Sequence, residues 1–77
     1  MPMSSQQSAE AIQRRIGERM RELRTKLDMT QEAAPAASGI DYKRWQRLEA
    51  GDVNATIKTI VRVAITLSVS FEELIAT

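Results

Sequence analysis

The chain contains neither cysteine nor histidine. That double absence removes disulfide staples, thiolate nucleophiles and the commonest metal ligands and proton shuttles, so neither a metal site nor a nucleophilic active site is expected. It also fits a reducing compartment. No apolar run approaches the roughly 20 residues needed to cross a bilayer. Ser4, Ser5, Gln6, Gln7 and Ser8 stand where a secretion signal would carry its apolar core. The expectation is a cytoplasmic protein with no cofactor, no enzymatic role and no membrane partner. Net charge is equally scarce. At +1, with 11 basic against 10 acidic residues, the overall balance says nothing about a polyanionic partner, and the distribution has to decide. Seventy-seven residues allow one small domain whose core supplies only a few kcal/mol.

What charge there is lies unevenly. Arg14, Arg15, Arg19, Arg21, Arg24 and Lys26 crowd the first third, Lys43, Arg44 and Arg47 share one short segment, and Glu72 and Glu73 sit near the end. The acidic end is therefore expected to face away from any polyanion. Ile12, Ile16, Met20, Leu23 and Leu27 are spaced by four, four, three and four, the stripe of an amphipathic helix running from about Ser8 to Leu27. Residues 1–7 have no periodicity and read as a flexible segment ahead of a single domain over 8–77. Gly17 interrupts the first helix at a cost of about 1 kcal/mol relative to alanine, which predicts a close packing contact there.

The segment from Met29 to Gly51 is the most informative. Thr30 is a good N-cap, with Gln31 and Glu32 in the first turn of a second helix expected over Gln31 to Ala37. Pro35 falls at its fifth position, where it removes the bond to the Gln31 carbonyl at a cost of up to about 3 kcal/mol and should bend or tighten the start. Gly39 supplies a left-handed stop. Asp41 then caps a third helix from Tyr42 to Ala50, with Ile40 placed to staple against Trp45 and Gly51 ending it. Thr56 caps a fourth helix, whose inward stripe is read as Ile57, Ile60, Val61, Ala64 and Leu67. Ser70 and Glu73 form a capping box for a short fifth helix, with Val69 placed against Leu74. The fold class is all-α, five helices without a strand.

At 100° per residue, Lys43, Gln46 and Arg47 fan out within about 100° of one another while Trp45 and Leu48 lie opposite. A tight turn followed by a short helix that is basic on its free face is an arrangement suited to base edges in the DNA major groove. Lys43 or Arg47 can pair with guanine O6 and N7, and Tyr42 can meet a thymine methyl or a phosphate. Arg44 lies on the flank and is assigned to phosphate. Most charged helix faces are merely solvated, and Arg14, Arg15, Arg19 and Arg21 are read that way. Trp45, the single tryptophan, is read as core rather than as a stacking platform.

These residues also carry a resemblance. Ile16-Gly17-Glu18-Arg19 through Arg24, Thr30-Gln31-Glu32, Gly39-Ile40, Arg47-Leu48-Glu49-Ala50-Gly51, Asn54 and Val69-Ser70 to Glu73-Leu74 resemble the Cro and phage-repressor helix-turn-helix family, also called the xenobiotic-response-element (XRE) family. The likeness covers about Ile12 to Ile75. It implies a compact five-helix, lambda-repressor-like domain with the helix-turn-helix at helices 2 and 3. It further implies that helix 3 enters the major groove of double-stranded DNA, usually as a two-fold dimer on a pseudo-palindromic operator. Base contacts transfer to Tyr42, Lys43 and Arg47, with Gln46 nearby. Gln31 matches a phosphate-clamping glutamine, and Asn54 and Thr56 stand where loop contacts to the backbone are made. Arg24 and Glu49 match an ion pair that orients helix 3. Ala34, Pro35, Trp45, Val53 and Ala55 depart from the usual residues at their positions.

For the dimer two seams compete. One is the C-terminal pair of helices, through Ile65, Phe71 and Ile75; the other is the long N-terminal helix. A second functional reading keeps the scaffold and changes the partner: an interaction module, antitoxin-like, with Lys43 and Arg47 paired to acids of another protein. An enzyme ranks third, since no acid, base and nucleophile constellation is visible.

Overall fold

Five helices make up the regular structure of residues 8–76, the part of the chain that the computed structural model describes, and no strand occurs among these residues. They are α1 (Ala9–Lys26), α2 (Ala33–Ser38), α3 (Tyr42–Ala50), α4 (Ile57–Thr66) and α5 (Phe71–Ile75). The expected flexible stretch at residues 1–7 lies outside the described residues.

Each helix begins where a side-chain oxygen replaces the missing acceptor of a free backbone N–H. Ser8 accepts from Ala11 N, Asp41 from the N–H groups of Lys43 and Arg44, and Thr56 from Thr59 N. Ser70 and Glu73 exchange both bonds of a capping box. Only α2 departs from its expected bounds. It starts at Ala33 instead of Gln31 and extends to Ser38 rather than stopping at Ala37. Thr30 still caps, its hydroxyl accepting from Ala33 N at 2.9 Å, and the Thr30 and Glu32 carbonyls accept from Ala34 and Ala36. The carbonyl between them, on Gln31, has no N–H to meet at Pro35, so the first turn is a turn and the helix proper begins two residues late.

The core gathers Met20 and Leu23 of α1, Ala34, Ile40, Trp45 and Leu48 of the central helices, Ile60, Val63, Ala64 and Leu67 of α4, and Leu74 of α5. α1 packs mainly on α3 and also on α5; α2 packs on α4 and α3, and α4 on α5. The α1 stripe is buried only in its middle, and its ends, Ile12 and Leu27, are exposed. The inward stripe read for α4 needs correction as well. Ile57 and Val61 face outward and Val63 takes their place in the core. α4 has apolar residues at seven of the eleven positions from 57 to 67, so two apolar arcs satisfy a helical period, and contact with α2 and α5 selects between them.

Gly17 is buried where α1 crosses α3. A Cβ there would lie 2.6 Å from the Leu48 carbonyl oxygen and closer still to that of Glu49, so the two backbones meet only because the side chain is absent. This crossing sets the height and angle of α3 on the body of the domain.

Candidate nucleic-acid interface

The turn between α2 and α3 is built from four residues. Gly39 takes φ of 75°, a left-handed conformation that costs glycine nothing. Ser38 is buried, and its hydroxyl donates to the Pro35 carbonyl at 2.9 Å while accepting from Ile40 N at 3.0 Å. The Gly39 N–H also donates to Pro35. The turn is thus closed by a side chain as well as by the backbone, which holds α3 rigidly relative to α2. The sequence gives no sign of this bridge, because a serine before glycine is as readily a solvent-facing residue.

Behind α3 the chain places a satisfied polar cluster. The Glu49 side chain is 1% exposed and accepts from Arg24 Nε at 2.6 Å and Arg24 Nη2 at 3.2 Å, a bidentate pair. Trp45 Nε1 donates to the same carboxylate at 2.6 Å, and Gln31 Nε2 approaches it at 3.5 Å. Arg24 also donates to the Met29 carbonyl at 2.9 Å, which ties the α1–α2 connection to the cluster. Burial pushes the Glu49 carboxyl up. The hydrogen bonds from Arg24 and Trp45, the Arg24 charge and the Gln31 contact outweigh that push, so it ends below its ordinary value of 4.5. No buried side-chain nitrogen or oxygen among the described residues lacks a partner. The pairing of Arg24 with Glu49 was expected. The indole bond was not, although the spacing of Trp45 and Glu49, one helical turn apart, is a readable signal. Arg21, read as solvated, has its Nε 3.7 Å from Glu49.

With its inner face locked, α3 presents the other face. Lys43, Arg44, Gln46 and Arg47 come together around an open concavity with Asp41, Ala50 and Val53. Tyr42 stands at the edge, half in a neighbouring groove lined by Glu32, Pro35, Gly39 and Ile40, and its hydroxyl accepts from Gln46 Nε2 at 3.0 Å. The salt bridges among the described residues leave Lys43, Arg44 and Arg47 unpaired. A face of three cations without acidic partners among the described residues, on a helix tied from behind by the Glu49 cluster, offers donors to a polyanion at small reorganisation cost.

The remaining candidates sit elsewhere. Gln31 is turned toward Glu49, with its amide at the rim of the cluster. Asn54 and Thr56 lie in the α3–α4 loop outside the concavity. Asn54 accepts from Gln13 of α1, and Thr56 caps α4. No group of acidic residues suited to hold a metal ion occurs among the described residues, and no described helix is long and apolar enough to cross a membrane.

Known proteins share this fold. The HTH_3 helix-turn-helix family model matches residues 20–74, a stretch that begins in α1 and ends in α5. The restriction-modification controller protein C.AhdI from Aeromonas hydrophila is 33% identical and superposes with a TM-score of 0.79 over 83% of this chain and 97% of its own. An HTH_3 family transcriptional regulator from Vibrio cholerae is 22% identical and superposes with a TM-score of 0.83, over 90% of this chain and 39% of its own. A hypothetical transcription factor, NHTF from Neisseria, is 21% identical with a TM-score of 0.79, over 97% of this chain and 83% of its own. The last two show likeness of fold alone. No curated protein gives a match.

Proposed function

The chain belongs to the HTH_3, XRE-type helix-turn-helix family, and on that premise we propose that it is a sequence-specific transcriptional regulator that reads a pseudo-palindromic operator as a homodimer. One observation carries the reading: α3 has every inward group satisfied and three unpaired cations outward. A helix so held can enter the major groove with its first turns against base edges. In this reading Tyr42, Lys43, Gln46 and Arg47 meet bases. Arg44 meets phosphate from the flank, and Gln31, Asn54 and Thr56 approach the backbone from the start of the helix-turn-helix and from the loop after it. The controller protein from Aeromonas hydrophila, matched along nearly its whole length, supports a regulatory role for a chain of this size.

The dimer has support from a separate surface. Ile57 and Ile65 are 68% and 72% exposed, and Val61 lies between them at the same i, i+4 spacing. Ile57 also lines a groove with Ile12 and Ile16 of α1 and Phe71 and Ile75 of α5, so residues of both candidate seams border one groove, while Val61 and Ile65 continue the apolar row beyond it. Apolar patches of this kind mark association surfaces. Lys58 and Arg62 on α4 and Glu72 on α5 are exposed and of opposite sign, a pairing that an isologous contact repeats across its two-fold axis. Two copies of α3 would then sit about 34 Å apart, one turn of DNA.

Selection of duplexes from a random library tests the proposal. Enriched sites should contain paired half-sites, and Lys43→Ala or Arg47→Ala should each weaken binding by about 1 to 3 kcal/mol while Trp45 fluorescence reports an intact fold. Enrichment of unpaired sites would end the dimeric operator model. Enrichment of nothing would leave the protein-binding module as the better account.

A further inference from the structure

We propose that Tyr42 and Gln46 act as one reading unit, the tyrosine hydroxyl holding the glutamine carboxamide as an acceptor and donor pair matched to adenine, beside a guanine-reading row formed by Lys43 and Arg47. The proposal rests on the reading of α3 as the groove helix and names what each half of it recognises.

Two i, i+4 rows run along the outer side of α3, Tyr42 with Gln46 and Lys43 with Arg47, about 100° apart around the helix, with Arg44 on the flank. Their chemistry differs. Lysine and arginine carry donors only, so the edge they fit is one that offers acceptors, the O6 and N7 of guanine. Glutamine carries both kinds of group. In the structure one Gln46 amide hydrogen is donated to the Tyr42 hydroxyl at 3.0 Å. The second amide hydrogen and the side-chain carbonyl oxygen remain, a donor beside an acceptor. Adenine N7 accepts and adenine N6 donates, and no other base shows that pair in the major groove.

The tyrosine also limits where the carboxamide can be. A free glutamine on a helix surface loses rotamer entropy when it is fixed. Tyr42 has fewer torsions, and its side chain lies along the groove formed by Pro35, Gly39 and Ile40, at the turn that Ser38 and Gly39 make rigid. Its hydroxyl therefore transmits the position of that turn to Gln46, and Tyr42 is a positioning residue as well as a contact. The two rows point to neighbouring base pairs, so each half-site should hold an A·T pair close to a G·C pair.

The experiment starts from the duplex the wild-type protein selects and measures binding to it and to all its single-base-pair variants. Wild-type protein, Gln46→Ala, Gln46→Glu, Tyr42→Phe and the Tyr42→Phe, Gln46→Ala double variant are compared, each checked for folding by Trp45 fluorescence. The expected result is one A·T pair whose replacement costs the wild type about five-fold or more in affinity. Gln46→Ala removes that preference, and Gln46→Glu, at lower overall affinity, moves it to cytosine, whose N4 only donates. Tyr42→Phe weakens the preference several-fold and leaves the guanine positions unchanged, and in the Gln46→Ala background it does nothing further at that pair. A Tyr42→Phe effect of equal size with and without Gln46, or a preference at every base pair that ignores Gln46, overturns the proposal. Selection of no duplex by the wild type would instead defeat the groove reading beneath it.

Discussion

α3 and α4 are short helices of nine and ten residues with opposite outer faces. The free side of α3 carries Lys43, Arg44 and Arg47, whereas that of α4 carries Ile57, Val61 and Ile65 between Lys58 and Arg62. Their inner faces differ too. α4 is held by apolar packing through Ile60, Val63, Ala64 and Leu67, while α3 adds to Trp45 and Leu48 a buried carboxylate that four side chains approach. Apolar packing tolerates small shifts, but a bidentate ion pair with an indole bond fixes both position and rotation. The lesson is that the helix with a cationic outer face is the one given directional bonds behind it. The helix with an apolar outer face is held by apolar packing alone.

The comparison breaks most severely at Glu49. Glu49→Ala leaves Arg24 partly buried without its counter-charge and the Trp45 indole without its acceptor. A loss of about 3 to 5 kcal/mol in unfolding free energy is expected from denaturant titration. The same site predicts an acid limb. A carboxyl whose folded value lies below its unfolded one contributes stability that is complete above the unfolded value and disappears as the pH falls through the folded value. The wild type should therefore lose stability from about pH 4.5 downward, and this part of the acid loss should be missing in Glu49→Ala.

A smaller break is expected at the crossing that seats α3. Gly17→Ala puts a methyl group against two backbone carbonyls, so the helices must separate, at a cost of about 1 to 3 kcal/mol in stability. Because the displaced element is α3, duplex binding should fall in this variant even under conditions where it is fully folded. Unchanged binding would show that the seat of α3 has more latitude than the contact implies.

On the α4 side the contrast sharpens. Ile57→Glu and Ile65→Glu alter exposed positions and should change the stability of the isolated protomer by no more than about 0.5 kcal/mol. Sedimentation should nevertheless show the dimer dissociating at concentrations where the wild type is associated. Persistence of the dimer in both variants would move the seam away from α4. The mildest effect belongs to Arg44→Ala, which should weaken binding about equally on all duplexes and reduce the slope of log K against log salt by about 1.

Much of this was legible in the sequence because it depends on neighbours along the chain. Caps at Asp41, Thr56 and Ser70 need a hydroxyl or carboxylate within three residues of a free N–H, and Gly39 needs only its own lack of a Cβ. The α3 pattern was readable for the same reason, since charged and apolar residues separate cleanly on it. α4 was not, because both of its arcs are apolar and periodicity cannot rank them. α2 was misjudged by two residues at its start, where one missing N–H at Pro35 outweighed a good cap and a favourable first turn.

Residue order alone was enough to determine a family, five helices, the turn before α3 and the cationic composition of its free face, since each follows from bonds spanning a few residues or from a 3.6-residue period. Tertiary structure alone decided that Val63 and not Val61 enters the core, that Ser38 closes the turn from inside, and that Trp45 and Gln31 join the expected Arg24–Glu49 pair behind the cationic face. The first depends on how α4 meets α2 and α5 and the last on the surfaces that meet where α1 crosses α3 at Gly17, and contacts between separate helices leave no periodic trace in the chain.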